Sequence, residues 1–169
     1  MSDGFLPPVR AKEKAMHVYL LQHARAMPSE ENPLRPLSET GRSDACRMAD
    51  YLHRHVGLKV LEVVHSGRER AAQTAEIIAD TLGVACNAAA GLMPSDDPEI
   101  WASQLKLRTK DVMVVGHLPH LQRLVGLLLC NDDALSVVHF RNGGVICLQH
   151  GAAGEWSIDW VLTPQVLPA

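Results

Sequence analysis

The chain has 169 residues, of which 47% are hydrophobic and 21% are charged, and its formal net charge is −3. This length suits one globular domain with a proper core and leaves little room for a second domain. Charges of both signs are interspersed without a long basic stripe, which argues against a nucleic-acid binder. No segment approaches the roughly 18 uninterrupted apolar residues of a membrane span, so we expect no membrane partner and a cytoplasmic location.

The first 15 residues contain Gly4, Pro7 and Pro8 and precede every strand or helix signal. They lack the apolar segment of a signal peptide, so we predict a flexible tail over residues 1–15 and a single domain over residues 16–169. The cysteines lie far apart without a CxxC pair, which favours reduced, mostly buried thiols over a zinc knuckle or a disulfide framework. These cysteines are Cys46, Cys86, Cys130 and Cys147.

A run of strand formers begins at His17 and stops at Gln22 and His23. The carboxyl ends of strands face the ligand site in open α/β sheets, so His23 is positioned for chemistry. The loop that follows closes with Arg35 and Pro36. We expect Pro36 to keep Arg35 extended, which could aim its guanidinium at the site, although a solvated loop arginine is an equal alternative.

The first helix is predicted from its cap and its apolar face. Ser38 is a suitable N-cap, and apolar residues then recur at the spacing of one helical face. The members of this face are Ala45, Met48, Ala49, Leu52 and Val56.

A second predicted strand, residues 60–65, leads into Ser66, and the spacing from Ser66 to Glu69 is that of a capping box. Arg68 and Arg70 then lie in the first turn, which is the unfavourable end of a helix for a cation. Free backbone N–H groups at that end attract an anion, and an adjacent arginine would complete a phosphate site. Two exposed arginines near a helix start are the alternative interpretation.

The apolar run of residues 112–115 is typical of a central parallel strand, and it ends at Gly116 and His117. Pro119 suits the opening turn of the next helix. The alternation of strands and helices predicts a three-layer α/β/α fold with a largely parallel central sheet. The other predicted elements are a short apolar segment at 84–90, a helix at about 99–107 and short strands at 137–140, 144–149 and 155–162.

The predicted carboxyl edge of the sheet carries four candidate groups: His23, Arg35, Arg70 and His117. This set suits a phosphoryl group, because each charged hydrogen bond to its oxygens contributes about 1.5–3 kcal/mol. A neutral imidazole can attack phosphorus and form a covalent phosphohistidine. Such chemistry requires no metal and no cofactor.

Four segments resemble, in order and spacing, the motifs of the histidine phosphatase superfamily, whose fold is phosphoglycerate mutase-like, and more closely its short SixA-type phosphohistidine phosphatases. The resemblance runs from about Met16 to Leu162 and implies that His23 is the nucleophile. It implies that Arg70 and His117 hold the phosphoryl oxygens and that Arg35 lies at the pocket mouth or on the substrate. The segments are Leu21-Gln22-His23-Ala24, Arg35-Pro36-Leu37-Ser38-Glu39-Thr40-Gly41, Ser66-Gly67-Arg68-Glu69-Arg70-Ala71-Ala72-Gln73-Thr74-Ala75 and Val115-Gly116-His117-Leu118-Pro119.

The sequence departs from the family pattern before the nucleophile, where the usual arginine is Gln22. Losing one charge-assisted contact could remove about 1–2 kcal/mol, or about tenfold in rate or affinity. Arg25 or Arg68 could compensate, or both could face solvent. With Ser66, these residues complete the predicted phosphate-binding set.

The sequence also lacks the inserted acidic proton donor of the longer relatives. Asp96, Asp97 and Glu99 lie in the corresponding part of the chain, and we interpret them mainly as loop and helix-start acids. A phosphohistidine substrate needs less acid assistance, because a protonated imidazole leaves well.

The resemblance therefore implies a metal-independent phosphatase that acts on phosphohistidine of a signalling or phosphorelay protein, such as a histidine-containing phosphotransfer domain, and releases inorganic phosphate. One alternative is a phosphomonoesterase for small phosphorylated metabolites. Another is a non-catalytic phosphate-binding module in which Gln22 marks lost chemistry.

Overall fold

The computed structural model describes residues 15–168, so the predicted tail lies outside the described residues except for Ala15. Within this range six strands alternate with four α-helices. A π-helical turn, Leu52–Val56, extends the first helix, and a 3-10 turn, Pro164–Val166, follows the last strand. The elements are β1 (Met16–Gln22), α1 (Glu39–Tyr51), β2 (Glu62–His65), α2 (Glu69–Leu82), β3 (Ala85–Ala88), α3 (Pro98–Leu107), β4 (Val112–Gly116), α4 (His120–Cys130), β5 (Val145–His150) and β6 (Trp156–Leu162).

The strands form one sheet in the order β3-β2-β4-β1-β5-β6. The first four of these are parallel, and β5 and β6 are antiparallel to their neighbours. Strand β4 lies between β2 and β1 and is buried along its whole length, as its continuous apolar sequence predicts.

Helices cover both faces of the sheet. Side chains alternate along β1, so Val18 and Leu20 pack with α3 and α4, whereas Tyr19 and Leu21 pack with α1 and α2. The predicted three-layer α/β/α fold with a largely parallel sheet is therefore confirmed. None of the helices within residues 15–168 is long and apolar enough to cross a bilayer.

Three local predictions are wrong. Residues 137–140 form a loop instead of a strand, because Phe140 anchors this run in the core beside α3 and α4 while Val137 stays exposed. Val56 is exposed, because the π-helical turn shifts the helical register and carries it off the buried face of α1. Only Cys147 of the four cysteines is buried; Cys86 is half-buried and the helical pair Cys46 and Cys130 is exposed.

Candidate functional site

The two histidines that follow strands lie side by side. Strands β1 and β4 are parallel neighbours with Gln22 opposite Gly116, so His23 and His117 leave the sheet at the same edge. Their ring centroids are 5.0 Å apart, and the His23 backbone N–H donates to the Gly116 carbonyl at 3.1 Å. The sheet register therefore places both imidazoles in one buried site.

Strand β2 and helix α2 add an arginine and a serine to this site. Arg70, in the first turn of α2, donates its Nε–H to Nε2 of His23 at 3.1 Å. Oγ of Ser66 lies 2.6 Å from Nε2 of His117. The predicted capping box is therefore wrong: Arg68 is the N-cap, with no side-chain cap, and the Ser66 hydroxyl instead contacts His117 and accepts from the Arg68 N–H at 3.4 Å.

The hydrogen bonds of His23 define its tautomer. Nδ1 lies 2.8 Å from the carbonyl oxygen of Ala24, and since a carbonyl only accepts, Nδ1 carries the proton. Nε2 consequently holds a lone pair, which accepts the hydrogen bond from Arg70. Burial lowers the pKa of His23 to about 4; the charges of Arg70 and Arg35 add to this lowering, and the Ala24 bond opposes it. His23 is therefore a neutral imidazole at pH 7.

His117 is also neutral at pH 7. Burial lowers its pKa to about 3, and the nearby His23, Arg70, Arg68 and, least, His120 add to the effect. Its Nδ1 is buried and has no hydrogen-bond partner among the described residues. A negatively charged ligand would reverse these electrostatic effects and favour the protonated ring.

Arg70 gives the site a buried positive charge. Its side chain is 7% exposed, and no carboxylate within residues 15–168 lies at ion-pair distance from it. Burial lowers its pKa, and so do the charges of Arg35 and Arg68. A cluster of three cations without an acidic partner in the described chain is a site for an anion.

Arg35 reaches this region by a different backbone path from the predicted one. Its φ is +51°, so it is not extended, because the chain turns sharply there to let Ala26 bridge Leu37. Its Nε–H donates to the Met27 carbonyl at 3.2 Å, and its charge lowers the pKa of His23. The guanidinium therefore lies near the site while its own hydrogen bond is to the loop.

The remaining predicted phosphate ligands differ in their surroundings. Oε1 of Gln22 is buried without a hydrogen-bond partner in the described chain. Arg68 is exposed, and its charge lowers the pKa values of His117 and Arg70. Arg25 is exposed, and its backbone carbonyl accepts from Ser38 at the start of α1. The close approach of α1 to the Arg25 carbonyl requires a glycine at position 41, since a Cβ on Gly41 would lie 1.9 Å from that oxygen.

Two residues to which the sequence analysis gives no role hold the backbone of the site. The fully buried Thr74 Oγ1 accepts from the Ala24 N–H at 3.1 Å and donates to the Arg70 carbonyl at 2.7 Å. Nδ2 of Asn142 donates to the His23 carbonyl at 3.0 Å. Thr74 lies within one of the four segments quoted above, whereas Asn142 lies between two predicted strands, where no sequence pattern indicates a role.

The three candidate acids are each engaged locally. Asp96 Oδ2 accepts from the Met93 N–H at 2.8 Å, and Asp97 caps α3 by accepting from the Glu99 N–H at 3.0 Å. Glu99 Oε1 accepts from the hydroxyl of Ser103. These contacts agree with the interpretation of the acids as loop and helix-start residues.

One family model and a set of solved structures are similar to this chain. The family model "Histidine phosphatase superfamily (branch 1)" matches residues 18–96. A search of curated proteins found no match.

Solved structures share the fold. The protein histidine phosphatase SixA complexed with tungstate is 24% identical with a TM-score of 0.78, and the match covers 89% of this chain and 98% of that one. A structure from Agrobacterium tumefaciens that carries the name SixA has a TM-score of 0.70 at 24% identity, covering 88% and 97%. A mycobacterial glucosyl-3-phosphoglycerate phosphatase has a TM-score of 0.66 at 16% identity, covering 86% and 98%.

Proposed function

We propose that the chain belongs to the histidine phosphatase superfamily, whose family model matches residues 18–96, and that it is a phosphatase that hydrolyses phosphohistidine on a protein through a covalent phospho-His23 intermediate. The observation that carries the proposal is the tautomer of His23: Nδ1–H is held by the Ala24 carbonyl, and the Nε2 lone pair is directed at Arg70. A buried neutral imidazole whose Nε2 carries no proton is a nucleophile for phosphorus once Arg70 transfers its hydrogen bond to the phosphoryl oxygens. Arginines supply the positive charge that such a transfer needs, so the proposed chemistry requires no metal.

In the first step, His23 Nε2 forms a bond to phosphorus as the bond from phosphorus to the substrate imidazole breaks. If the substrate ring is protonated on its other nitrogen, it leaves as a neutral imidazole. His23 keeps its own proton on Nδ1, where the Ala24 carbonyl stabilises the positive charge that the phosphorylated ring acquires. The transfer therefore balances without an enzyme acid.

In the second step, water forms a new P–O bond, the bond from phosphorus to His23 Nε2 breaks, and dihydrogen phosphate leaves. His23 returns to its neutral tautomer. We assign Arg70 and His117 to the phosphoryl oxygens, with Ser66, Gln22, Arg35 and the exposed Arg68 at the margin of the pocket. Arg25, which is exposed, stays a prediction as a phosphate ligand.

Two features support a protein-borne phosphohistidine over a small phosphomonoester. Asp96, Asp97 and Glu99 are occupied by capping and local hydrogen bonds, so no free acid from this loop is at hand to protonate an alkoxide. Only nine residues, 89–97, join β3 to α3, so no inserted lid from this connection closes over the site. A phosphorylated histidine on a phosphotransfer domain is the substrate class that fits both features.

We also propose a cytoplasmic location. The four cysteines of the chain are free, and two of them are exposed. Exposed free thiols suit a reducing compartment.

The proposal is tested by measuring phosphate release from a phosphohistidine protein and from a generic phosphomonoester. Wild type, His23→Ala and Gln22→Arg are compared, with the exposed His55→Ala as the control. We expect preference for the phosphoramidate, loss of turnover and of acid-labile phosphoenzyme in His23→Ala, and normal activity in His55→Ala.

Other outcomes would redirect the assignment. Faster turnover of phosphomonoesters that depends on Asp96, Asp97 or Glu99 would indicate a small-molecule phosphatase. Tight phosphate binding without a phosphoenzyme, together with turnover regained in Gln22→Arg, would indicate a binding module.

A further inference from the structure

A second cluster of potential ligands lies at the opposite end of β1 from His23. His17, Cys147 and Asp159 each offer one ligand atom, and these atoms all lie within 4.8 Å of one another. The residues come from β1, β5 and β6, which are adjacent strands. From this geometry we propose that the protein binds a divalent transition-metal ion of the Zn²⁺ class between these three side chains.

The imidazole of His17 is arranged as a metal-binding histidine would be. Its Nε2 faces Asp159 Oδ2 at 4.0 Å, and its Nδ1 faces Asp111 Oδ2 at 3.6 Å. Metal-ligating histidines usually donate their second ring N–H to a carboxylate, which fixes the tautomer and the ring orientation. Asp111 is itself held in place, because Oδ1 accepts from the His17 backbone N–H at 2.9 Å. Asp111 Oδ2 therefore lies just outside hydrogen-bond distance of Nδ1 and could accept from it after a small movement, while Nε2 stays available for a metal.

The strand pairing brings Asp159 to this cluster. The register between β5 and β6 shifts between Cys147 and Leu148, where Trp160 opposes Cys147 and Ile158 opposes Leu148. Asp159 is the extra residue of this irregularity, and such bulges redirect a side chain. The consequence is that an exposed carboxylate on the edge strand β6 lies beside the buried thiol of Cys147 on β5.

Charge also favours a cation here. Asp111 and Asp159 have no arginine or lysine within ion-pair distance among residues 15–168, and their one ionic contact is His17, which is charged only when protonated. One thiol, one imidazole and one carboxylate suit Zn²⁺ or Co²⁺ better than Mg²⁺ or Ca²⁺, which prefer oxygen ligands alone. Bond lengths of about 2.0–2.3 Å require the three ligand atoms to close to about 3.4 Å from one another, a movement of about 1 Å.

The site would be structural. His17 lies six residues before His23 along β1, which corresponds to about 20 Å. A metal there would join the central strand to the two antiparallel strands at this side of the sheet and stabilise their pairing, with no part in phosphoryl transfer. The presence or absence of this metal site is consequently independent of the function proposed above.

The test uses the full chain, freed of metal with a chelator and titrated with Co²⁺. We expect one equivalent to bind with visible d–d bands and a near-ultraviolet thiolate-to-cobalt charge-transfer band. The charge-transfer band should disappear in Cys147→Ser and persist in the control Cys86→Ser, whose thiol is half-buried on β3. Asp111→Asn should weaken Co²⁺ binding about 10- to 100-fold.

Zn²⁺ supplies a second readout. At a free concentration about 100-fold above Kd, it should raise Tm by roughly 5–10 °C in wild type and not in His17→Gln or Asp159→Asn. These two side chains are partly exposed, so both variants should fold even if Cys147→Ser does not. Phosphatase activity should be unchanged in His17→Gln and in Asp159→Asn. Binding without a charge-transfer band, or a band that survives in Cys147→Ser or in His17→Gln, would overturn the proposal.

Discussion

The Nε–H of Arg70 donates to Nε2 of His23 at 3.1 Å, so the lone pair that we propose to attack phosphorus is occupied in the anion-free site. The charged oxygens of a phosphoryl group are stronger acceptors than an imidazole nitrogen. An incoming substrate should therefore draw the guanidinium onto its own oxygens and release Nε2. Substrate binding and exposure of the nucleophile become one event.

Arg70→Gln should separate activity from stability. We expect kcat/KM to fall about 10³-fold, because the buried charge that stabilises the transferring phosphoryl group is lost, whereas Arg70→Lys, which lacks the fork geometry, should lose about 10²-fold. The anion-free variant Arg70→Gln should be as stable as wild type or more stable by roughly 0.5–2 kcal/mol, since three clustered cations repel one another. Urea unfolding without phosphate measures this.

The exposed Arg141→Gln is the matched control and should change neither quantity. Phosphate should raise the unfolding midpoint of wild type and of Arg141→Gln and have little effect on Arg70→Gln. A clear loss of stability in Arg70→Gln without phosphate would contradict the idea that the cation cluster is held for an anion.

The low pKa values of His23 and His117 should make stability depend on pH. Both histidines are neutral when folded, with pKa values of about 4 and about 3, against an ordinary value of 6.5. Their stabilising contribution is complete above pH 6.5 and is lost as pH falls towards 4 and then 3. The free energy of unfolding should decline over this range with a slope of up to about 1.4 kcal/mol per pH unit for each histidine.

Imidazole nitrogen NMR checks the same point residue by residue. His23 should show a protonated Nδ1 and an unprotonated Nε2 at pH 7, and it should stay neutral at pH 5. The exposed His53 supplies a reference signal in the same sample. A midpoint near 6.5 for His23, or a proton on Nε2, would contradict the proposed nucleophile. Phosphate should raise the midpoint, because an anion favours the charged ring.

The sequence predicted those parts of the fold and site that local pattern encodes. The buried strand β4 and the helical stripes follow from periodicity, and the placement of His23 and His117 follows from strand ends that meet in a parallel sheet. Only the predicted capping role of Ser66 is wrong, because a capping spacing cannot show that the hydroxyl contacts a histidine that follows another strand.

Long-range contacts explain the other failures. The left-handed backbone of Arg35 depends on the bridge between Ala26 and Leu37, which the Arg35-Pro36 pair does not reveal. Asn142 contacts a carbonyl 119 residues earlier in the chain, and no local signal indicates that partner. The cluster of His17, Cys147 and Asp159 depends on a register shift between β5 and β6, so it too is invisible in the sequence.

Thr74→Val should disturb the backbone that positions His23 and Arg70. The change keeps the shape of the side chain and removes a hydroxyl that accepts from the Ala24 N–H and donates to the Arg70 carbonyl. A buried N–H left without a partner costs about 1–3 kcal/mol. We expect this loss in the free energy of unfolding, a decrease in kcat, and recovery of both in Thr74→Ser. Thr81→Val, on the exposed side of α2, should have little effect on kcat; equal effects at both positions would indicate a general helix defect.

Gln22→Arg should show how much an arginine immediately before His23 contributes to phosphate binding. The added cation would join Arg70 near Arg35 and Arg68, so the anion-free protein should become less stable while its affinity for phosphate rises about tenfold. Thermal unfolding with and without phosphate measures both effects, and Gln22→Met controls for the loss of the amide without adding charge. Oε1 of Gln22 is already buried without a partner, so Gln22→Met should cost little stability and should weaken phosphate binding only modestly. If Gln22→Arg binds phosphate no better than wild type, the existing arginines already saturate the phosphoryl oxygens, and the substitution in this sequence carries no loss of function.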